Sequence, residues 1–211
     1  MCGLFGFVGV PDDDPLAESN RCRHLARIAE LAGTRGPHAH GVAWWEDPDW
    51  RVLRRPGSSI GRSLPWTAPM MIGHSRLSTT HNPFVVDEAQ PLQRDGLTLA
   101  HNGTVRHLHE LDWAGPRMTT GTDSEALLIA AADAAADGVP FDGLLEAAVD
   151  RCRLDSPYAL LLASAEGVCA RRNGQPLFVR NDRHGVWLCS RTGAAFTAIP
   201  PAVTLHFAPP T

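Results

Sequence analysis

Apolar positions come in short runs from the very start of the chain. Residues 4–10, LFGFVGV, are uninterrupted and β-prone, which predicts a buried strand. The period then changes. Asp14 followed by Pro15 suits an N-cap and a first helical residue. Leu25, Ile28, Ala29 and Ala32 recur at helical spacing, so a helix is expected over residues 16–33. The loop GTRGPHAHG (33–41) ends it. VAWWE (42–46) and RVLRR (51–55) predict a hairpin around Asp47, Pro48 and Asp49. MMIGHSRLS (70–78) and LTLAHNG (97–103) each read as a strand that runs into polar residues.

Two helices are expected in the middle of the chain. Thr122-Asp123-Ser124-Glu125 fits a capping box, with a helix following to residue 136. A third helix over 141–153 carries Phe141, Leu144, Leu145, Ala148 and Val149 on one face. Short strands close the chain at 158–164, 167–172, 176–180, 185–190 and 202–207. Strands, then helices, then strands again predict an α+β layered fold. With no repeat and no boundary in view, residues 1–211 read as a single domain.

Composition narrows the class. Apolar residues are 44% of 211, enough for a sizeable core, and a net charge of −4 gives no bulk reason to expect nucleic acid or a membrane surface as partner. No apolar run reaches the roughly 18 residues of a membrane-spanning helix. Asp12, Asp13 and Asp14 interrupt any signal-peptide core, so a cytoplasmic protein is expected. The five cysteines, Cys2, Cys22, Cys152, Cys169 and Cys189, form no C-x-x-C pair and suggest no disulfide framework. His38 with His40, and His107 with His109, lack a carboxylate or cysteine completing a metal set, so no metal or other cofactor is expected.

Five stretches can carry chemistry. Cys2 follows the initiator methionine, so loss of Met1 would leave a thiol and a free α-amine within a few bonds of each other. The amine has a reference pKa near 8 and can act as the thiol's base. Arg76, in GHSRLSTT, offers a fork suited to a carboxylate, and the hydroxyls of Ser78, Thr79 and Thr80 can join it. By itself it reads more readily as a surface arginine on a polar loop. Asn102 and Gly103, in AHNGTV, form an ordinary turn in isolation. They also suit an oxyanion hole, with a side-chain amide and a backbone N–H aimed at one developing charge. Asp123 stands in the first turn of a helix, as a capping residue or as an acceptor for an ammonium group. In TRGPHAHG, Arg35 opens a loop whose two histidines invite, but do not complete, a metal reading.

Taken together, the stretches MCGLFGFVG, RGPHAHG, GHSRLST, QPL (90–92), HNGTVRHLHEL and TDSEALL resemble, in order and spacing, the class II glutamine amidotransferases among the N-terminal nucleophile hydrolases. ARRNGQPLFV and WLCS extend the likeness more loosely into the last third. The resemblance implies a four-layer αββα sandwich and L-glutamine as ligand. It implies that Cys2 attacks the glutamine amide to give a glutamyl thioester, with Asn102 and Gly103 as the oxyanion hole. Arg76 and Thr79 would hold the α-carboxylate, Asp123 the α-amine, and Arg35 the nucleophile loop. The sequence departs from the family at His38, where many relatives carry an acid, and at Leu77, where others carry an aromatic or basic residue. No P-loop or other nucleotide motif precedes Thr211. The expectation is therefore a glutaminase subunit feeding ammonia to a separately encoded synthetase or transferase. Two alternatives stay open: a γ-glutamyl amide hydrolase without ammonia transfer, and a non-catalytic, partner-binding subunit of the same fold.

Overall fold

The computed structural model describes residues 1–57, 64–77, 88–191, 193 and 195–210. The first apolar run is strand β1 (Gly3–Val8), and helix α1 (Pro15–Gly33) follows it. Asp14 caps that helix as expected, its carboxylate accepting the Leu16 N–H at 2.9 Å with Pro15 next in line. β2 (Ala39–Glu46) and β3 (Asp49–Pro56) form the expected hairpin, and β4 (Met70–Arg76) and β6 (Leu97–Asn102) are the two strands that end in polar residues. Helices α2 (Ser124–Ala136) and α3 (Leu144–Arg151) come next. Strands β7 (Tyr158–Ser164), β8 (Gly167–Asn173), β9 (Phe178–Asp182), β10 (Gly185–Cys189) and β12 (Thr204–Phe207) complete the order. The patterns did not mark β5 (Leu92–Arg94) or β11 (Thr197–Ala198), three and two residues long.

These strands build two antiparallel sheets. One runs β11-β9-β10-β1-β4-β2-β3 and the other β12-β8-β7-β6-β5. Leu4, Ile72 and Leu188 of the first sheet meet Ala100, Leu161 and Ala170 of the second in a dry layer rich in small residues. The opposite face of the first sheet, with Phe5, Phe7 and Trp187, is covered by Leu25, Ile28 and Ala32 of α1. On the second sheet, Leu99, Leu160 and Leu162 pack against α2 and α3 through Leu128, Ala131 and Leu145. The result is the expected four-layer αββα sandwich. It explains why β1 and β7 read as apolar runs rather than alternations: both of their faces are covered.

The capping box at α2 takes another form. Asp123 is the N-cap but makes no capping bond with its side chain. Glu125 turns instead to the preceding loop, where it accepts the backbone N–H and hydroxyl groups of Thr119 and Thr120 at 2.7–2.9 Å. These four donors satisfy a carboxylate buried at the helix start better than one cap bond would. The region predicted as one helix over 141–153 begins as a 3-10 turn, Phe141–Gly143, before α3.

Gly3 fixes how close β1 lies to the end of α1. A Cβ at this position would sit 1.9 Å from the Ala32 carbonyl oxygen, a backbone atom that cannot swing aside. Gly3→Ala is therefore expected to destabilise the fold by about 3 kcal/mol or more. Urea unfolding measures this directly, and a change under about 1 kcal/mol, the lower end of the usual overpacking cost, would mean that helix and strand can separate cheaply.

Candidate functional site

The antiparallel register decides what meets Cys2. Gly3 pairs with Ser75 across β1 and β4, which brings Cys2, one residue outside the strand, alongside Arg76 at the end of β4. Asn102 ends β6 in the other sheet. The Cys2 backbone N–H donates to Asn102 Oδ1 at 3.2 Å, a bond that crosses from one sheet to the other. Asn102 Nδ2 donates to Gln175 Oε1 at 3.3 Å. One of the two amide hydrogens is so engaged, and the second is left for another acceptor. Arg35 donates from Nε to the Cys2 carbonyl at 2.9 Å, which agrees with the expectation that it supports this loop.

The thiol lies against the backbone of Leu77, with the Leu77 N–H 3.4 Å from Sγ and the Leu77 carbonyl at 3.8 Å. Burial pushes its pKa up; the Leu77 backbone, the chain's ammonium, Arg76 and Arg35 each pull it part of the way down. Cys22 bonds Glu18 on α1, and Cys189, though Arg35 and Arg191 pull it down, is buried in the core; neither lines a cavity with Arg76 and Asp123. Cys152 and Cys169 are buried in the core and are pushed up to about 12 by burial, which makes them inert at neutral pH.

A cavity of about 270 Å³ opens beside Cys2. Arg76, Glu88, Gly103 and Asp123 line it together with His74 and His101. Gly103 packs so closely on its surroundings that a Cβ would lie 2.4 Å from His101 Nε2 and 3.0 Å from the Pro157 carbonyl. Asp123 is held by the Val105 N–H at 2.6 Å. Arg76 is ion-paired with Glu88, a partner that no spacing rule pointed to. Of the residues expected to form the site, Cys2, Arg76, Gly103 and Asp123 share this cavity, and Asn102 touches the Cys2 backbone beside it. Arg35 reaches Cys2 from behind. Thr79 lies outside the described residues, as do Ser78 and Thr80.

Gln90 braces the floor. Its Oε1 accepts the His101 N–H at 2.6 Å, its Nε2 donates to Ser124 Oγ at 2.9 Å, and that hydroxyl meets His101 Nδ1 at 3.0 Å. The QPL stretch was noted for its likeness only; this ring gives it a physical role. The other histidines go elsewhere: His40 contacts the Gly57 carbonyl at 2.8 Å, and His107 pairs with Glu110 and Asp155 on the surface.

The two floor histidines carry a pH signature. Burial, with His101 and Arg76 nearby, holds His74 at about 3; burial holds His101 at about 4, against a small upward pull from Asp123. Both are neutral at pH 7, whereas in the unfolded chain they take up protons near 6.5. The unfolded state therefore binds more protons below pH 6.5. The stability these groups supply is complete above that value and is lost as pH falls toward 4 and then 3. The loss reaches up to about 1.4 kcal/mol per pH unit for each histidine. Glu18, held down to about 2 by Arg21, adds its own loss only below the ordinary carboxylate range. Urea midpoints at pH 7, 6 and 5 are thus expected to fall steadily, and a flat series would show that the two rings are not buried in neutral form.

Comparison with known proteins agrees with this geometry. No family model matches the chain. A glutamine--fructose-6-phosphate aminotransferase (isomerizing) of Rhizobium meliloti is 26% identical over 191 residues, 85% of this chain and 30% of the relative. An amidophosphoribosyltransferase of Synechococcus elongatus is 31% identical over 111 residues, 49% of this chain and 22% of the relative. The solved glutamine phosphoribosylpyrophosphate amidotransferase of B. subtilis superposes with a TM-score of 0.71 at 21% identity, covering 95% of this chain and 46% of that one. The chain is homologous to the class II glutamine amidotransferase domains. It shares their fold of two packed antiparallel sheets, and it spans less than a third of the curated relatives it matches. Cys2 of this amidotransferase homologue precedes β1, an interior strand of its sheet, and sits where the end of β4 and the end of β6 come together.

Proposed function

We propose that this chain hydrolyses L-glutamine to glutamate and ammonia, with Cys2 as nucleophile once Met1 has been removed. The observation that carries the reading is the Cys2–Asn102 contact across the two sheets. It joins the thiol that lines the cavity to an amide donor, at the mouth of a space that also holds Arg76 and Asp123.

The chemistry follows from these positions. The Cys2 nitrogen is held on Asn102 Oδ1, so a freed α-amine would start from a fixed place next to its own thiol. Burial keeps the thiol protonated at rest, and a base is therefore required. The amine takes the thiol proton as sulfur bonds to the amide carbon. The oxygen of the resulting tetrahedral intermediate is met by Asn102 Nδ2 and the Gly103 N–H. The C–N bond then breaks, the ammonium returns its proton to the departing nitrogen, and ammonia leaves. Water, deprotonated by the same amine, attacks the thioester and releases glutamate and the thiol. Arg76, with Thr79, takes the α-carboxylate, and Asp123 takes the α-ammonium.

In this reading the 211 residues act as a single glutaminase domain, and the ammonia passes to a separately encoded synthetase or transferase. The curated relatives are named as transferases, which supports ammonia transfer as the purpose of the reaction. The test is a product balance with the purified chain, with and without candidate acceptors. Glutamate and ammonia should appear in equal amounts from L-glutamine. No release in any pairing would end the proposal, and faster release of a larger amine from γ-glutamyl amides would change the substrate.

A further inference from the structure

The ion pair between Arg76 and Glu88 places a second carboxylate in the cavity that the reading above assigns to an amino-acid head group. Glu88 is only partly exposed, its side chain at 20%. The wall opposite makes room for it. Gly121, two residues before Asp123, lies so near that a Cβ there would come within 2.9 Å of Glu88 Oε1. Of the groups lining the cavity, Arg76 is positive, Glu88 and Asp123 are negative, and His74 and His101 are neutral at pH 7. Among the described residues lining the cavity, carboxylates thus outnumber guanidinium groups by one, a balance that favours a ligand bearing a cation.

We infer that Glu88 is a specificity-determining residue which, together with Asp123, recognises the α-ammonium of the ligand while keeping its bond to Arg76. A guanidinium has five N–H donors in a planar fork, so Arg76 can hold Glu88 on one side and a ligand carboxylate on another. The ligand's ammonium then lies between two carboxylates, and its carboxylate lies on the arginine they flank. A ligand of the same length without the amine brings only negative charge up to Glu88 and Asp123. Glu88 therefore both attracts the zwitterion and repels the simple acid.

This inference rests on the proposed function for the ligand class, but its test does not require turnover. Binding of L-glutamate and of glutarate, which differ only by the amine, is measured by calorimetry on the processed wild type and on Glu88→Gln. The substitution keeps shape and hydrogen bonding but removes the charge. Any change at Arg76 acts on the carboxylate of both ligands alike, so the ratio of the two affinities isolates the ammonium. The wild type should prefer L-glutamate, and Glu88→Gln should lower that preference about tenfold, the scale of one hydrogen bond to a charged group. Glu88→Asp should restore part of it. An unchanged ratio in Glu88→Gln, or a wild type that binds neither ligand, overturns the inference. Glutamine hydrolysis by the wild type with an unchanged ratio would remove Glu88 from recognition and leave the proposed function standing.

Discussion

Cys2→Ala is expected to abolish glutamate release from L-glutamine while leaving the fold in place. The side chain is part-buried and makes only long contacts, 3.4 and 3.8 Å to the Leu77 backbone, so its loss removes little packing. The neighbours that fix the strand end act on the backbone: Arg35 on the Cys2 carbonyl, Asn102 on the Cys2 N–H, Gly3 on the end of α1. All of these survive the substitution. Without sulfur no thioester can form, and the remaining cysteines cannot replace it: Cys152, Cys169 and Cys189 are buried in the core, and Cys22 lies on α1 outside the cavity. Cys2→Ser should also fail, because a hydroxyl is a far weaker acid than a thiol and the amine is a poor base for it. Circular dichroism and urea unfolding should match the unsubstituted chain. Turnover by Cys2→Ala above a background of about one thousandth would remove the nucleophile assignment, since loss of a catalytic nucleophile costs far more than that.

Asn102→Ala is expected to lower kcat by about a hundredfold or more, with a smaller effect on KM. In the proposed mechanism Asn102 acts on the transition state; one end of its amide is tied to Cys2 and the other lies toward Gln175. A donor aimed at the oxygen of the tetrahedral intermediate gains strength only when the negative charge appears there, so its loss falls on kcat. Asn102 also holds the Cys2 nitrogen, so in the proposed mechanism its loss should cost more than that of a pure oxyanion donor. Steady-state kinetics on L-glutamine separates the cases. A change confined to KM would make Asn102 a binding residue, and an unchanged kcat would remove it from the chemistry.

The fold was legible in the sequence wherever burial sets a period. α1 shows its apolar face at Leu25, Ile28, Ala29 and Ala32 and carries its cap in Asp14–Pro15. β1 and β7 are covered on both faces and announce themselves as unbroken apolar runs. β5 and β11 did not, because two or three residues are too few to establish an alternation. Glu125 misled for a different reason. The capping-box pattern is local, whereas this carboxylate is satisfied by the loop at Thr119 and Thr120. In the site, Cys2, Arg76, Asn102, Gly103 and Asp123 were legible because each stands in a short motif at a strand end or a helix start. Glu88 and Gln175 were not. Each reaches its partner across a distance in sequence, 12 residues from Arg76 and 73 from Asn102, that only the folded chain closes.

The hydrogen bond from Cys2 to Asn102 is also a ruler laid across the interior of the sandwich. Its two ends belong to different sheets, and the thickness of the alanine-rich filling between those sheets sets its length. Bulk added to that filling, at a position far from any polar group, would reach the thiol and its amide partner through rigid strands and not through a loop. In this molecule the tolerance of the reacting atoms is written into the smallest side chains of the core.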